Sequence, residues 1–188
     1  QSTYAICADA DPLTFTVPFT TSAGAPTQYK MTFDGGAFTA ITTWTALPAD
    51  GKFVIPCNGT TPGTYTATIT VADATLTSQS SCNVTLVINA LPEITLGSIA
   101  DIAYNGGSIT IPYTVPTGST AVSYSVTSEG QTTTGTLSAS GNIVLSGLGT
   151  LTAGAHNVSV SVTSADGCTQ TYADIPYNVI AEPVVAIA

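Results

Sequence analysis

Apolar and polar residues alternate along most of this chain. Leu13, Phe15, Val17 and Phe19 fall on one face of an extended segment, with Thr14 and Thr16 on the other. Tyr65, Ala67, Ile69 and Val71 alternate with four threonines, and His156, Val158, Val160 and Val162 alternate with Asn157, Ser159 and Ser161. A period of two is what an antiparallel strand with one buried and one wet face requires. No stretch shows a convincing 3.6-residue period, so no helix is predicted. Turn formers stand between the extended segments: Asp34-Gly-Gly, Asp50-Gly, Asn58-Gly, Asn105-Gly-Gly, Ser140-Gly-Asn and Asp166-Gly.

The pattern also repeats on a longer scale. Leu13–Phe19 is echoed by Ser108–Tyr113, with Ile111 lying 94 positions after Val17. Tyr29-Lys-Met is echoed by Tyr124-Ser-Val, and Gly51–Ile55 by Gly141–Leu145 at an offset of 90. Pro62–Val71 is echoed by Ala153–Val162, and Ala90-Leu-Pro92 by Ala181-Glu-Pro183, both at 91. Blocks in one order at nearly one spacing mean tandem copies of one unit. Short strands at this spacing, about seven per copy, predict an all-β chain of two tandem immunoglobulin-like β-sandwiches arranged end to end. The expected domains are 1–91 and 92–188, the second ending in a linker over 181–188.

In such a sandwich a tyrosine two residues after a glycine, opening the penultimate strand, turns its hydroxyl onto nearby backbone. Tyr65 in Pro-Gly-Thr-Tyr fits that corner. His156 in Ala-Gly-Ala-His holds the matching place, so it is expected to turn inward with its polar tip on backbone rather than to serve catalysis or a metal.

Composition narrows what such a chain can do. Of 188 residues only 13 are charged, 11 acidic and two lysines, while 35 are Thr and 17 Ser. Hydroxyl groups replace charge as the water-facing material, and β-branched threonine suits a pleated surface. A net charge of −9 without arginine removes the footing for nucleic acid or an anionic membrane. No window approaches a spanning helix, so no membrane insertion is expected. The chain opens on Gln1 without an apolar leader, as a processed secreted protein or a fragment does.

Cys7, Cys57, Cys82 and Cys168 form no C-x-x-C, so disulfides in an oxidising, extracellular setting are expected rather than zinc. With the first strand entering at the end that carries the last hairpin, Cys7 and Cys82 are expected to meet within copy 1, and Cys57 and Cys168 across the joint. The other arrangement is a Cys57–Cys82 bridge inside copy 1, with Cys7 and Cys168 left over.

Candidate sites are sparse. With one histidine in a structural slot, no G-x-S-x-G and no H-E-x-x-H, catalysis is not expected. Asp9, Asp11 and Asp73 are expected at one end of copy 1 and Asp101 and Asp166 at the same end of copy 2, with Glu93 nearby. Clustered aspartates suit Ca²⁺, but Asp also favours turns through its own backbone hydrogen bonds, and that plainer reading is preferred. Trp44 is a sugar-stacking platform if exposed and a core residue if not; the core reading is preferred. Asn58-Gly-Thr60, Asn83-Val-Thr85 and Asn157-Val-Ser159 match the glycosylation sequon.

Ile6-Cys-Ala, Phe15-Thr-Val-Pro-Phe-Thr-Thr, Gly24-Ala-Pro-Thr-Gln-Tyr29, Thr45-Ala-Leu-Pro48 and Pro62-Gly-Thr-Tyr-Thr-Ala-Thr-Ile-Thr-Val71 together resemble the tandem immunoglobulin/PKD-like repeats of Bacteroidota cell-surface proteins. The likeness is better in copy 1 than in copy 2. It implies export by type IX secretion, display on the bacterial cell surface and kinship with gliding adhesins, with no catalytic residues to carry over. The expected function is a non-catalytic, stiff spacer in a surface adhesin, stalk or filament, with neighbouring repeats or copies of itself as partners. A glycan- or protein-binding module is the alternative, and an accessory domain of a secreted hydrolase a weaker third. Strand exchange by a segment such as Gln1–Asp11 is conceivable, but no missing strand in the pattern asks for it.

Overall fold

A computed structural model describes residues 1–21, 24–59 and 61–185. Thr60 of the first sequon and the last three residues of the linker 181–188 lie outside the described residues. The chain divides into two compact units, Gln1–Ala90 and Leu91–Ala188, and every described element is a strand.

Unit 1 holds β1 (Ser2–Cys7), β2 (Thr14–Pro18), β3 (Gln28–Phe33), β4 (Ile41–Ala46), β5 (Lys52–Pro56), β6 (Gly63–Ala72) and β7 (Gln79–Asn89). One sheet runs β1-β7-β6-β3-β4 and the other is β2-β5 alone. Unit 2 holds β8 (Thr95–Leu96), β9 (Ile102–Ala103), β10 (Ser108–Thr114), β11 (Ala121–Ser128), β12 (Gln131–Thr136), β13 (Ser140–Ser146), β14 (Gly154–Ser164) and β15 (Thr169–Ile180). Its sheets run β12-β11-β14-β15-β9 and β13-β10-β8. Each unit is therefore an immunoglobulin-like sandwich. The repeat maps strand on strand, with β2 matching β10, β3 matching β11, β5 matching β13, β6 matching β14 and β7 matching β15.

The alternation is realised as expected. Phe15, Val17, Met31, Phe53, Ile55, Ala67, Ile69, Leu86 and Ile88 are buried in unit 1, and their threonine neighbours face outward. Ile109, Ile111, Val126, Ile143, Leu145, Val158, Val160 and Val162 fill unit 2. All five phenylalanines lie in unit 1, where Phe19 stacks on Phe53 at 4.4 Å and Phe38 meets Tyr65 edge-on at 5.2 Å. Unit 2 is packed with β-branched aliphatics instead. On the wet faces hydroxyls bond across strands: Thr70 with Ser81 at 2.8 Å, Thr68 with Asn83 at 3.0 Å and Ser161 with Thr171 at 3.1 Å.

One expectation about topology fails. β1 runs parallel to β7, pairing Ser2 with Val84 and Cys7 with Asn89. Cys7 therefore lies where the chain leaves unit 1, about 23 Å along the strand from Cys82 at ~3.3 Å per residue. In unit 2, β9 likewise pairs parallel to the end of β15, Ile102 facing Val179. Cys7 was expected to precede the first strand at the hairpin end; Ser2–Cys7 is itself a strand and carries Cys7 to the opposite end, so the Cys7–Cys82 bridge falls.

Candidate functional site

Both copies build the same corner at the end where the chain exits. Tyr65 opens β6 and donates its hydroxyl to the Thr61 carbonyl, four residues back, at 3.0 Å. His156 opens β14, and its Nε2 sits 2.8 Å from the Thr152 carbonyl, again four residues back. The expected structural role holds for both. The histidine adds a partner that sequence did not reveal: Nδ1 lies 2.8 Å from Glu129 Oε1. Glu129 and Gly130 form the two-residue turn between β11 and β12, with φ of 49° and 74°. Two positive φ angles are those of a type I′ hairpin, whose first position favours Asn, Asp or Gly. A glutamate there is explained by what its carboxylate touches. Both ring nitrogens face acceptor oxygens, and only the imidazolium can donate from both. Glu129 first, and the Thr152 carbonyl second, raise the His156 pKa above the ordinary histidine value. The ring stacks on Tyr177 at 5.5 Å, and the Tyr177 hydroxyl lies 3.1 Å from Ser128 Oγ. Both ring nitrogens are thus engaged within the corner, which fastens the start of β14 to the β11–β12 turn.

The cysteines are arranged otherwise than expected. Cys7 and Cys168 are disulfide-bonded, whereas Cys57 and Cys82 are free thiols. Neither the Cys7–Cys82 and Cys57–Cys168 pairing nor a Cys57–Cys82 bridge is present. Cys168 closes the β14–β15 turn, where its amide donates to Ser164 Oγ at 3.1 Å and its carbonyl accepts from the Ser164 amide at 2.9 Å. Burial pushes the Cys57 thiol pKa up.

The acidic candidates are dispersed. Asp9 and Asp11 follow Cys7 at the exit end of unit 1, while Asp73 sits in the β6–β7 turn at the opposite end. Asp101 precedes β9, about 33 Å along β15 from the turn that holds Asp166, at ~3.3 Å per residue. Among the described residues no group of three or more His, Cys, Asp or Glu is placed to hold a metal ion. Asp73 caps its own turn, accepting from the Thr77 amide at 3.0 Å, Thr77 Oγ1 at 2.9 Å and Thr75 Oγ1 at 3.1 Å. Asp34 accepts from the Thr66 amide at 2.7 Å, and that bond holds its carboxyl below the usual range.

Trp44 lies on β4 at the edge of its sheet, half-buried and outside the core cluster. Lys30 Nζ stands 4.7 Å from its ring centroid, a cation–π contact over one face of the ring. The core placement preferred for Trp44 does not hold.

A concavity with an apolar wall opens at the hairpin end of unit 1. This cavity of about 450 Å³ is lined by Phe19, Leu47, Phe53, Ile69, Val71 and Cys82, with Thr20, Pro26 and Ser80 at the rim. None of its lining residues is charged.

No family model and no curated protein sequence matches the chain. Among solved structures it is similar to fibronectin(III)-like modules of CbhA from Clostridium thermocellum, at 11% identity and a TM-score of 0.46, covering 100% of this chain and 95% of that one. It is also similar to a Ca²⁺-stabilized adhesin of an Antarctic bacterium, at 16% identity and 0.42, covering 96% of this chain and 47% of that one. The eight N-terminal Ig domains of Down Syndrome Cell Adhesion Molecule match at 19% and 0.47, covering 96% and 24%. The chain thus spans less than half the length of the latter two. These likenesses concern the fold.

Proposed function

We propose that this chain is a non-catalytic spacer module of an extracellular, adhesin-type bacterial surface protein. The observation that carries the reading is duplication without a reaction centre. Two sandwiches of one topology each close their own core, and the side chain best suited to chemistry, His156, is tied at both nitrogens. The short connection helps: β7 ends at Asn89 and β8 begins at Thr95. A wet face of threonine and serine with two lysines leaves trypsin-like proteases few sites, which suits exposure outside a cell. Disulfide-bonded Cys7 and Cys168 fit an oxidising compartment. No helix among the described residues is long and apolar enough to cross a membrane. The finer reading, a Bacteroidota surface stalk or filament using type IX export, rests on the sequence resemblance, and Ca²⁺ at the aspartates is not part of it.

Single-molecule stretching of the reduced chain tests the spacer. Two separate unfolding steps are expected, each releasing about 30 nm for roughly 90 residues at ~3.3–3.6 Å each. Retention on an array of surface polysaccharides that is abolished by Trp44→Ala would overturn it in favour of glycan binding.

A further inference from the structure

The hairpin end of unit 2 is closed, with Ile94 buried at 5% exposure and Leu96 packed against the core. What unit 2 leaves uncovered is the edge of its larger sheet. β12 has β11 on one side and, among the described residues, no strand on the other. That edge belongs to the strand plan, since its counterpart β4, between β3 and β5 in the chain, is likewise an edge of unit 1.

Natural edges are blunted by charge, proline, bulges or brevity, because unpaired amides and carbonyls are a template for another strand. β4 follows that rule: its pairing with β3 shifts register between Tyr29 and Met31, and Lys30 stands over its Trp44 ring. β12 does not. Its six residues, Gln131-Thr-Thr-Thr-Gly-Thr136, hold no charge and no proline. They pair with β11 from Gln131 with Ser128 to Thr136 with Ser123, without a shift.

The unpaired groups can be named. The Leu137 amide donates to the Val122 carbonyl at 2.9 Å, and antiparallel partners alternate between bonded and non-bonded pairs. Gln131, Thr133 and Gly135 therefore bond to β11, and the amides and carbonyls of Thr132, Thr134 and Thr136 point away from it. All three threonines are exposed. Their side chains continue the hydroxyl rows of the outer face: Thr134 faces Ser125, Ser125 faces Ser161, and Ser161 faces Thr171. Charge is scarce on every side, for between Asp101 and Asp166 the only Asp, Glu, Lys or Arg is Glu129, and it is tied to His156.

We infer that two copies of this chain pair edge to edge through β12, antiparallel about a two-fold axis at Thr134. Thr134 then faces its own counterpart, and Thr132 of each copy faces the partner's Thr136. Each of these pairs exchanges two backbone bonds, and threonine opposite threonine is a favourable cross-strand pair. The row Thr171, Ser161, Ser125, Thr134 runs on through the axis into the same row of the second copy. The two copies of Glu129 fall at opposite ends of the paired strands, about 34 Å apart at ~3.4 Å per residue. A chain of net charge −9 thus meets itself at this edge without facing like charges. A two-fold contact is self-complementary and closes at the dimer. One strand from each copy makes a small interface, of the transient class. The inference does not rest on the spacer reading, since a spacer need not pair.

Sedimentation velocity of the full chain from about 10 µM to 1 mM is expected to show monomer passing to dimer and going no further. Thr134→Pro removes an amide that no bond to β11 uses, and proline is tolerated on such an edge. That variant is expected to stay monomeric and to keep the melting transition of unit 2. Thr134→Lys sets two cations face to face across the axis. It is expected to raise the dissociation constant about ten-fold at low salt and less at high salt, a response that loss of folding would not give. In the unaltered chain the Thr132, Thr134 and Thr136 amides should exchange with solvent about ten-fold more slowly when nine-tenths of it is dimeric. A chain that stays monomeric, a dimer that survives Thr134→Pro, or exchange at these amides that ignores concentration each overturns the inference. The spacer reading is untouched by any of them.

Discussion

The two sandwiches share a strand plan and close their cores by different means. Unit 2 is sealed at its hairpin end by Ile94 and Leu96, and its corner residue is a histidine held by Glu129. Unit 1 is open at that end, and its corner is a tyrosine bonded to backbone alone. Unit 1 relies on aromatic contacts of Phe38 with Phe15 and Phe33 and of Tyr29 with Phe53, whereas unit 2 relies on interlocked β-branched residues. A duplicated fold therefore tolerates different packing chemistries provided that the period of two is kept. The differences also predict that single changes destabilise one unit and leave the other unmoved.

The largest effect is expected at Gly106. It has φ of +80°, and a Cβ added there would run into the backbone of Gly149. Gly106→Ala meets both an unfavourable backbone conformation and a carbonyl that no side-chain rotation relieves. A loss of more than about 3 kcal/mol is expected in unit 2. In calorimetry one transition shifts down or disappears while the unit 1 transition stays in place. Equal shifts of both transitions would show that the two units do not melt independently.

Ile94→Ala removes the seal of unit 2 and gives it an open end like that of unit 1. Truncating a buried isoleucine costs about 2–4 kcal/mol, including the cavity left behind. Val71→Ala, at the open end of unit 1, is expected to cost about 1 kcal/mol, because a half-buried valine has less contact to lose. If the two substitutions cost the same, Ile94 is not the closing residue. Tyr65→Phe should cost about 1 kcal/mol in unit 1, the worth of one hydrogen bond to backbone.

How much of this was legible beforehand follows from where the signal is local. Alternation such as Tyr65-Thr-Ala-Thr-Ile-Thr-Val is a local property of each strand, so strands, inward faces and the two corners could be read directly. Pairing of the short segments was not legible. Ser2–Cys7 and Ile102–Ala103 are short and alternate weakly, so nothing local marks them as strands that run along the final strand to the exit end. That one ambiguity misplaced Cys7, Asp9, Asp11 and Asp101 together, and with them the disulfides and the calcium candidates. Glu129 was missed because its partner lies 27 positions away and a glutamate in a two-residue turn carries no signal by itself.

The smallest expected effect separates the two corners by pH. Glu129 and the Thr152 carbonyl favour charged His156, so its pKa is raised in the folded unit. A group whose pKa is higher folded than unfolded binds the proton more tightly in the native state. Its contribution is complete below the unfolded value of about 6.5 and is lost as pH rises through the folded value. Unit 2 should therefore melt at a slightly higher temperature at pH 5.5 than at pH 8.5, measured against Glu129→Gln, which removes the carboxylate and keeps the turn. Unit 1, with Tyr65 in the same place and no histidine, supplies the internal reference. His156→Tyr should make unit 2 follow the unit 1 profile. A pH difference that persists in both variants would place its source elsewhere in unit 2 and leave the His156–Glu129 pair as geometry alone.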